Sequence, residues 1–194
     1  MKLWLVRHAR PLIDAGVCYG ALDVPADDVA TRAAAAQLAI SLPQTRFLST
    51  SPLQRCEQLT QYLRGLRADL IPNVDNRLAE MNFGTWEGRR WDAIGQTALA
   101  AWTDDFAQHP PGGGESVRAF MARVEAAMVQ TATNMAVEIA ADIATGIETE
   151  AIWITHAGVI RAATLIAGGV RQIERADQWP VNGPAWGETV VLDL

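Results

Sequence analysis

Four apolar residues, Leu3-Trp4-Leu5-Val6, run unbroken into Arg7-His8. A short apolar run of strand formers bounded by charge predicts a buried strand of a parallel sheet. A polar, Gly-containing stretch follows from Arg10 to Asp28. Thr31 to Leu42 (TRAAAAQLAISL) is dense in helix formers, Phe47-Leu48-Ser49 predicts a second strand, and Pro52 to Leu66 predicts a helix with Pro in its first turn. Asp69-Leu70-Ile71 is a third strand candidate. Asp75 to Arg90 has turn chemistry and no sustained period. Asp92 to Ala107 and Ser116 to about Ile143 predict helices, the second following the breaker Pro110-Pro111-Gly112-Gly113-Gly114, with Ser116 as N-cap. Ala151 to Thr155 (AIWIT) is the strongest strand signal and ends at His156. A helix from about Val159 to Ala167 and a last strand, Thr189 to Asp193, complete the pattern. Alternating strands and helices predict an α/β layered fold with a mostly parallel sheet. There is no internal repeat and no linker that would split residues 1–194 into more than one domain.

Composition narrows the class. The chain has 194 residues, 49% hydrophobic and 20% charged, with seven Trp and mean hydropathy +0.05; this excludes disordered, collagen-like and small disulfide-stapled proteins. A net charge of −6 and a pI near 5.0 lack the basic footprint of a nucleic-acid or anionic-membrane binder, so neither partner is expected. Lys2 is the only lysine among 16 Lys+Arg, leaving 15 arginines. Most of these are read as composition, and only position can give one a role. Cys18 and Cys56 are too few for a disulfide framework and read as reduced thiols. The start MKLWLVRHAR is too short in apolar residues for a secretory leader, and no stretch approaches the roughly 18 to 20 apolar residues that span a bilayer. A cytoplasmic location is expected.

In open α/β sheets, ligands sit outside the carboxyl ends of the strands. Two of the three histidines lie there: His8 follows the first strand beside Arg7, and His156 follows AIWIT with Ala157-Gly158 opening a helix. His109 lies in the Pro/Gly loop and needs no function. Ser51-Pro52-Leu53-Gln54-Arg55-Cys56 places Arg55 in the first turn of a helix, where free N–H groups already favour an anion. Arg7, Arg55, two imidazoles and a helix N-terminus are the parts of a phosphate pocket. Glu80, in a Gly-punctuated loop with hydrophobic neighbours, is the candidate acid for protonating a leaving oxygen.

The segments LVRHARP, TSPLQRC, LAEMNFGTWEG, PPGGGES and ITHAGVIR, in this order and over about the whole chain, resemble the histidine phosphatase (phosphoglycerate-mutase-like) superfamily. The resemblance implies a three-layer α/β/α sandwich forming a single domain over 1–194, with a helical cap or insert at roughly 75–115. It implies His8 as the nucleophile that becomes phosphohistidine, Arg7, Arg55, His156 and the Ala157 backbone N–H as phosphoryl ligands, and Glu80 as general acid and then base. No metal and no cofactor are implied. The usual R-H-G-E-T is Arg7-His8-Ala9-Arg10-Pro11 here, and Asp14 stands where an Asn is frequent, which sets a negative charge beside the phosphate if its side chain turns inward. RHARPLIDAGVCYGALDVP, WEGRRWDAI and PPGGGES look most like alpha-ribazole phosphatases, which implies alpha-ribazole 5′-phosphate as substrate, a role in cobalamin biosynthesis, and Tyr19, Trp86 and Trp91 as a stacking wall. Core packing is the competing reading of these aromatics. The partner expected is thus a small phosphate ester. A phosphoglycerate-type mutase, for which the chain is short, and a phosphate-binding protein with little turnover are the alternatives. Monomer and homodimer both stay open.

Overall fold

Residues 1–141 and 150–194 are described in the computed structural model. β1 (Lys2–Arg7), β2 (Phe47–Thr50), β3 (Pro72–Val74), β4 (Glu150–Thr155) and β5 (Thr189–Asp193) form one sheet in the order β3-β2-β4-β1-β5. All neighbours are parallel except β5, which runs antiparallel to β1 at the edge. The architecture is α/β.

Strand alternation sorts the apolar side chains to two faces. Leu3, Leu5, Ala151 and Trp153 join one buried cluster, while Val6, Ile152 and Ile154 join the other. α1 (Asp28–Ser41) and α2 (Gln54–Leu66) cover the second face through Ala35, Leu38, Leu59 and Leu63. α4 (Val117–Ala141) and α5 (Ala157–Ala167) cover the first through Phe120, Met121, Val124, Val159 and Ile160, after the short α3 (Gln96–Asp104). The layers are therefore helix, sheet, helix.

Register brings three strand ends level. Arg7 pairs with Thr155 and Thr50 with Ile154, so the residues that follow, His8, Ser51 and His156, emerge side by side. Two backbone bonds extend the ladder past the strands: His8 N–H donates to Thr155 O at 3.0 Å, and Ser51 N–H to Ile154 O at 3.0 Å.

Several boundaries differ from the sequence expectation. α1 begins three residues early, at Asp28, because the Asp27 side chain accepts the Ala30 N–H and caps it. α2 begins at Gln54, leaving Pro52 outside, since the Asp23 carboxylate takes the Gln54 N–H. The third strand is Pro72–Val74 and not Asp69–Ile71: Leu70 is buried but bonds back to Arg67 in a turn, and Ile71 is exposed. Residues 92–107 are not one helix; a turn at Trp91–Ala93 and Gly95 precede α3. α5 starts at Ala157, directly after the strand. Ser116 Oγ accepts the Ala119 N–H at the start of α4, and the expected end of that helix at Ile143 lies outside the described residues. Between β3 and α4 the chain makes short 3-10 turns that cross at Gly112. Its φ is +61°, and a Cβ there would sit 2.2 Å from Phe83 O, so only glycine fits.

Candidate active site

A cleft of about 470 Å³ opens at the carboxyl end of the sheet, lined at its base by Arg7, His8, Arg55, Glu80 and Ala157. These five sequence-predicted residues come from four separate segments. Their meeting follows from the level strand ends and from the α2 and α5 N-termini packed beside them.

The His8 ring is 2% exposed, and its Nδ1 lies 2.6 Å from Ala9 O. A carbonyl can only accept, so Nδ1 carries the proton and Nε2 keeps its lone pair. Burial, reinforced by the Arg55 and Arg7 cations, pushes the imidazole down to about 3. His8 is thus a neutral imidazole with a fixed tautomer.

Arg55, fully buried, donates from Nη2 to Gly20 O at 2.6 Å, from Nη1 to Leu22 O at 2.9 Å and from Nε to His156 Nδ1 at 3.2 Å. Since Nδ1 of His156 accepts, its Nε2 bears the proton and donates to Ser51 Oγ at 2.7 Å. Burial, then Arg55, holds His156 well below the usual histidine range. The two imidazole centroids lie 5.1 Å apart. His156 is 1% exposed and packs beside His8, held by Arg55 and Ser51 and with Cys56 Sγ 3.5 Å from its Nε2.

Arg7 donates from Nη1 to Pro184 O at 2.8 Å and lies 5.3 Å over the Trp186 ring, while its Nε is buried with no acceptor among the described residues. Burial lowers its pKa from the ordinary arginine value. The Glu80 carboxylate accepts the Gly158 N–H at 2.9 Å and its neighbour's, Met81, at 3.0 Å, and so stands at the N-terminus of α5.

Of the weaker candidates, Tyr19 and Trp91 line the cleft, Tyr19 with its ring 5.6 Å from the Arg55 guanidinium. Trp86 does not: it is 5% exposed and packs with Cys18 and Ile94 in a small core, edge-on to Trp91 and Trp102. Asp14 is exposed and lines a surface concavity with Arg10, Pro11 and Trp186 that shares Val17 and Tyr19 with the cleft, and it is not among the residues that line the cleft itself.

The sequence reading missed several residues. Glu87 accepts from Gly20, Ala21, Leu22 and Phe83 N–H groups at 2.8 to 3.1 Å, and thereby aims the Gly20 and Leu22 carbonyls at Arg55. Arg123 donates to the Arg77, Ala79 and Glu80 carbonyls and pairs with Glu115 at 2.7 Å, pinning the strap that carries Glu80. Ser51 fixes His156. Phe83, Trp102 and Trp179 add to the wall, and Arg161 stands on its rim. Their spacing in sequence carries no signal of this, since each acts on a segment far away along the chain. Among the described residues no cluster of His, Cys, Asp or Glu could hold a metal ion, and no helix is long and apolar enough to cross a membrane.

The model of the family described as the histidine phosphatase superfamily (branch 1) matches residues 3–185. The glucosyl-3-phosphoglycerate phosphatase of Mycolicibacterium vanbaalenii is 29% identical over 187 residues, which span 94% of this chain and 79% of that protein. The crystal structure of TTHB049 from Thermus thermophilus matches with a TM-score of 0.68 and 29% identity, covering 100% of this chain and 94% of that one. The native mycobacterial glucosyl-3-phosphoglycerate phosphatase matches with a TM-score of 0.78 at 24% identity, over 98% of this chain and 88% of that one, a likeness of fold.

Proposed function

The chain belongs to the histidine phosphatase superfamily and is a phosphomonoesterase, and from that premise we propose that it works through a phosphohistidine formed on His8. His8 Nε2 attacks phosphorus while Nδ1–H stays on the Ala9 carbonyl, which orients the ring and supports the positive charge that the ring acquires. Arg7 and Arg55 neutralise the phosphoryl oxygens, with the Ala157 N–H at the start of α5 as a further donor. The P–O bond to the alcohol breaks as Glu80 gives its proton to the departing oxygen. Glu80, now a carboxylate, takes a proton from the water that attacks the phosphohistidine, and inorganic phosphate and neutral His8 are restored. His156 acts as a positioning residue, holding Arg55 Nε while Ser51 holds it.

The observation that carries this reading is the neutral His8, its tautomer fixed by Ala9 O, in a cleft shared with Arg7, Arg55 and Glu80. For the substrate, a glycosylated phosphoglycerate ranks ahead of alpha-ribazole 5′-phosphate. The curated relatives are named for the first. The second has in its favour only the aromatic lining around Tyr19 and Trp91, and the Trp86 it also relied on is core. One domain, a cytoplasmic setting and reduced Cys18 and Cys56, both buried and unpaired with each other, belong to the same proposal.

A panel of phosphomonoesters that includes both candidates and a plain aryl phosphate tests it. The wild type is expected to release phosphate from the aryl ester and faster from one of the two candidates, and His8→Ala to lose at least about a thousandfold in kcat, as expected for removal of a nucleophile. Phosphate release by His8→Ala at the wild-type rate would overturn the assignment.

A further inference from the structure

The strap that carries Glu80 is irregular backbone whose carbonyls are taken by side chains from far along the chain. Arg77 O and Ala79 O accept from Arg123 Nη1 at 2.6 and 2.7 Å, Glu80 O from Arg123 Nη2 at 3.2 Å, and Leu78 O from Thr155 Oγ1 at 2.8 Å, so four consecutive carbonyls are held by two residues. Arg123 turns its other donors on Glu115, Nε to Oε1 at 2.7 Å and Nη2 to Oε2 at 2.9 Å, which engages all five N–H groups of its fork. Glu115 in turn donates its backbone N–H to Asn82 O at 2.7 Å, docking the Pro/Gly-rich loop on the same strap. Thr155 is fully buried at the end of β4, pairs with Arg7 in the sheet, and accepts the His8 N–H on its own carbonyl at 3.0 Å. One residue thus holds both the backbone of His8 and the strap of Glu80.

Packing alone leaves that strap room to move. Leu78 and Met81 are buried, but Glu80 between them lines both the cleft and a second concavity of about 570 Å³ shared with Asn76, Ala79, Glu115 and Arg123. The far end of the Glu80 side chain is fixed by the Gly158 N–H; its backbone end is fixed by the two donors on the strap. We propose that Thr155 and the Arg123–Glu115 pair form a clamp that positions the Glu80 carboxyl for proton transfer to the leaving oxygen, an assignment that rests on the reading of Glu80 as general acid. Thr155 and Arg123 are positioning residues, acting through the strap. A misplacement of about 1 Å is enough to lower a rate by as much as a hundredfold, so four hydrogen bonds to the backbone beside the acid bear directly on the reaction.

Comparison of kcat/KM on an alkyl phosphate and on an aryl phosphate with an acidic phenol as leaving group tests this, because kcat/KM ends at transfer to His8 and only the alkyl leaving oxygen needs a proton. Glu80→Gln sets the scale, with an expected loss of about a hundredfold on the alkyl ester and a much smaller one on the aryl ester. Thr155→Val keeps the shape of the side chain and removes the donor. Arg123→Lys keeps the charge beside Glu115, but one ammonium does not span five acceptors. Each is expected to lose at least about tenfold more on the alkyl ester than on the aryl ester, and Thr155→Ser to restore the wild-type ratio of the two. Because both act through one carboxyl, the double variant is expected to be no more selective than Glu80→Gln. Losses of equal size on the two esters in Thr155→Val or Arg123→Lys, wild-type rates in either, a Thr155→Ser that behaves as Thr155→Val, or a double variant more selective than Glu80→Gln would each overturn the clamp; Arg123→Lys decides alone if Thr155→Val does not fold. Equal losses on the two esters in Glu80→Gln would instead overturn the acid, and the clamp with it.

Discussion

His8 and His156 are held neutral by their neighbours, and that has a cost when the solution turns acid. An unfolded chain protonates both near pH 6.5. In the folded protein burial and nearby guanidinium groups lower His8 to about 3 and His156 in the same direction. Between those values the unfolded state binds protons that the folded state refuses, so stability falls as pH drops below 6.5, by about 1.4 kcal/mol per pH unit for each histidine. Urea unfolding at pH 7.5 and pH 5.2 is expected to show the loss, and His8→Gln to remove about half of it. A midpoint that does not move between these two pH values would contradict the buried, neutral state of the pair. At this scale the sequence was informative about place: Arg7, His8 and His156 meet at the strand ends, as their positions after apolar runs imply. It was silent on Glu87, whose carboxylate collects N–H groups from residues 20 to 22, more than sixty positions upstream, and on Ser51, which reads as an ordinary turn serine.

Among the elements, the N-terminus of α5 carries the most chemistry. Ala157, Gly158 and Arg161 are successive points along its first turns, and Glu80 is fastened to Gly158 N–H. A Cβ at Gly158 would meet Glu80 Oε1 at 2.1 Å, so Gly158→Ala must displace the carboxylate or the helix. The displaced acid predicts a loss of about a hundredfold in kcat on alkyl phosphates, where the leaving oxygen needs a proton, and a much smaller loss on an activated aryl phosphate, where it does not. Equal losses on both would point to a folding defect, and no loss on either would remove Glu80 from the reaction. Helices and strands as units were legible from periodicity, whereas their ends were not. Asp27, Asp23 and Leu70 set those ends through a cap, a cross-loop bond and a buried turn residue, none of which alters the apolar pattern of the element itself.

Over the whole molecule, alternating apolar runs were enough to specify three layers, because each buried strand feeds both faces of the sheet. The cleft's upper wall was not legible. Trp102, Trp179 and Phe83 reach it from three separate segments, and the choice between Trp86 in a core and Trp91 in a wall depends on how short 3-10 turns cross at Gly112. The charge balance also reads differently once folded. A body of net charge −6 concentrates at one strand edge the three arginines that line its cleft without a carboxylate partner, which suits a small anionic ligand and not a polyanion. The central claim is that phosphoryl transfer passes through His8. Rapid quenching of the enzyme with a 32P-labelled phosphomonoester tests it most directly. An acid-labile, base-stable phosphoenzyme that maps to His8 and is absent from His8→Ala is the result predicted; full turnover with no labelled protein at any quench time, or label on another residue, would contradict it.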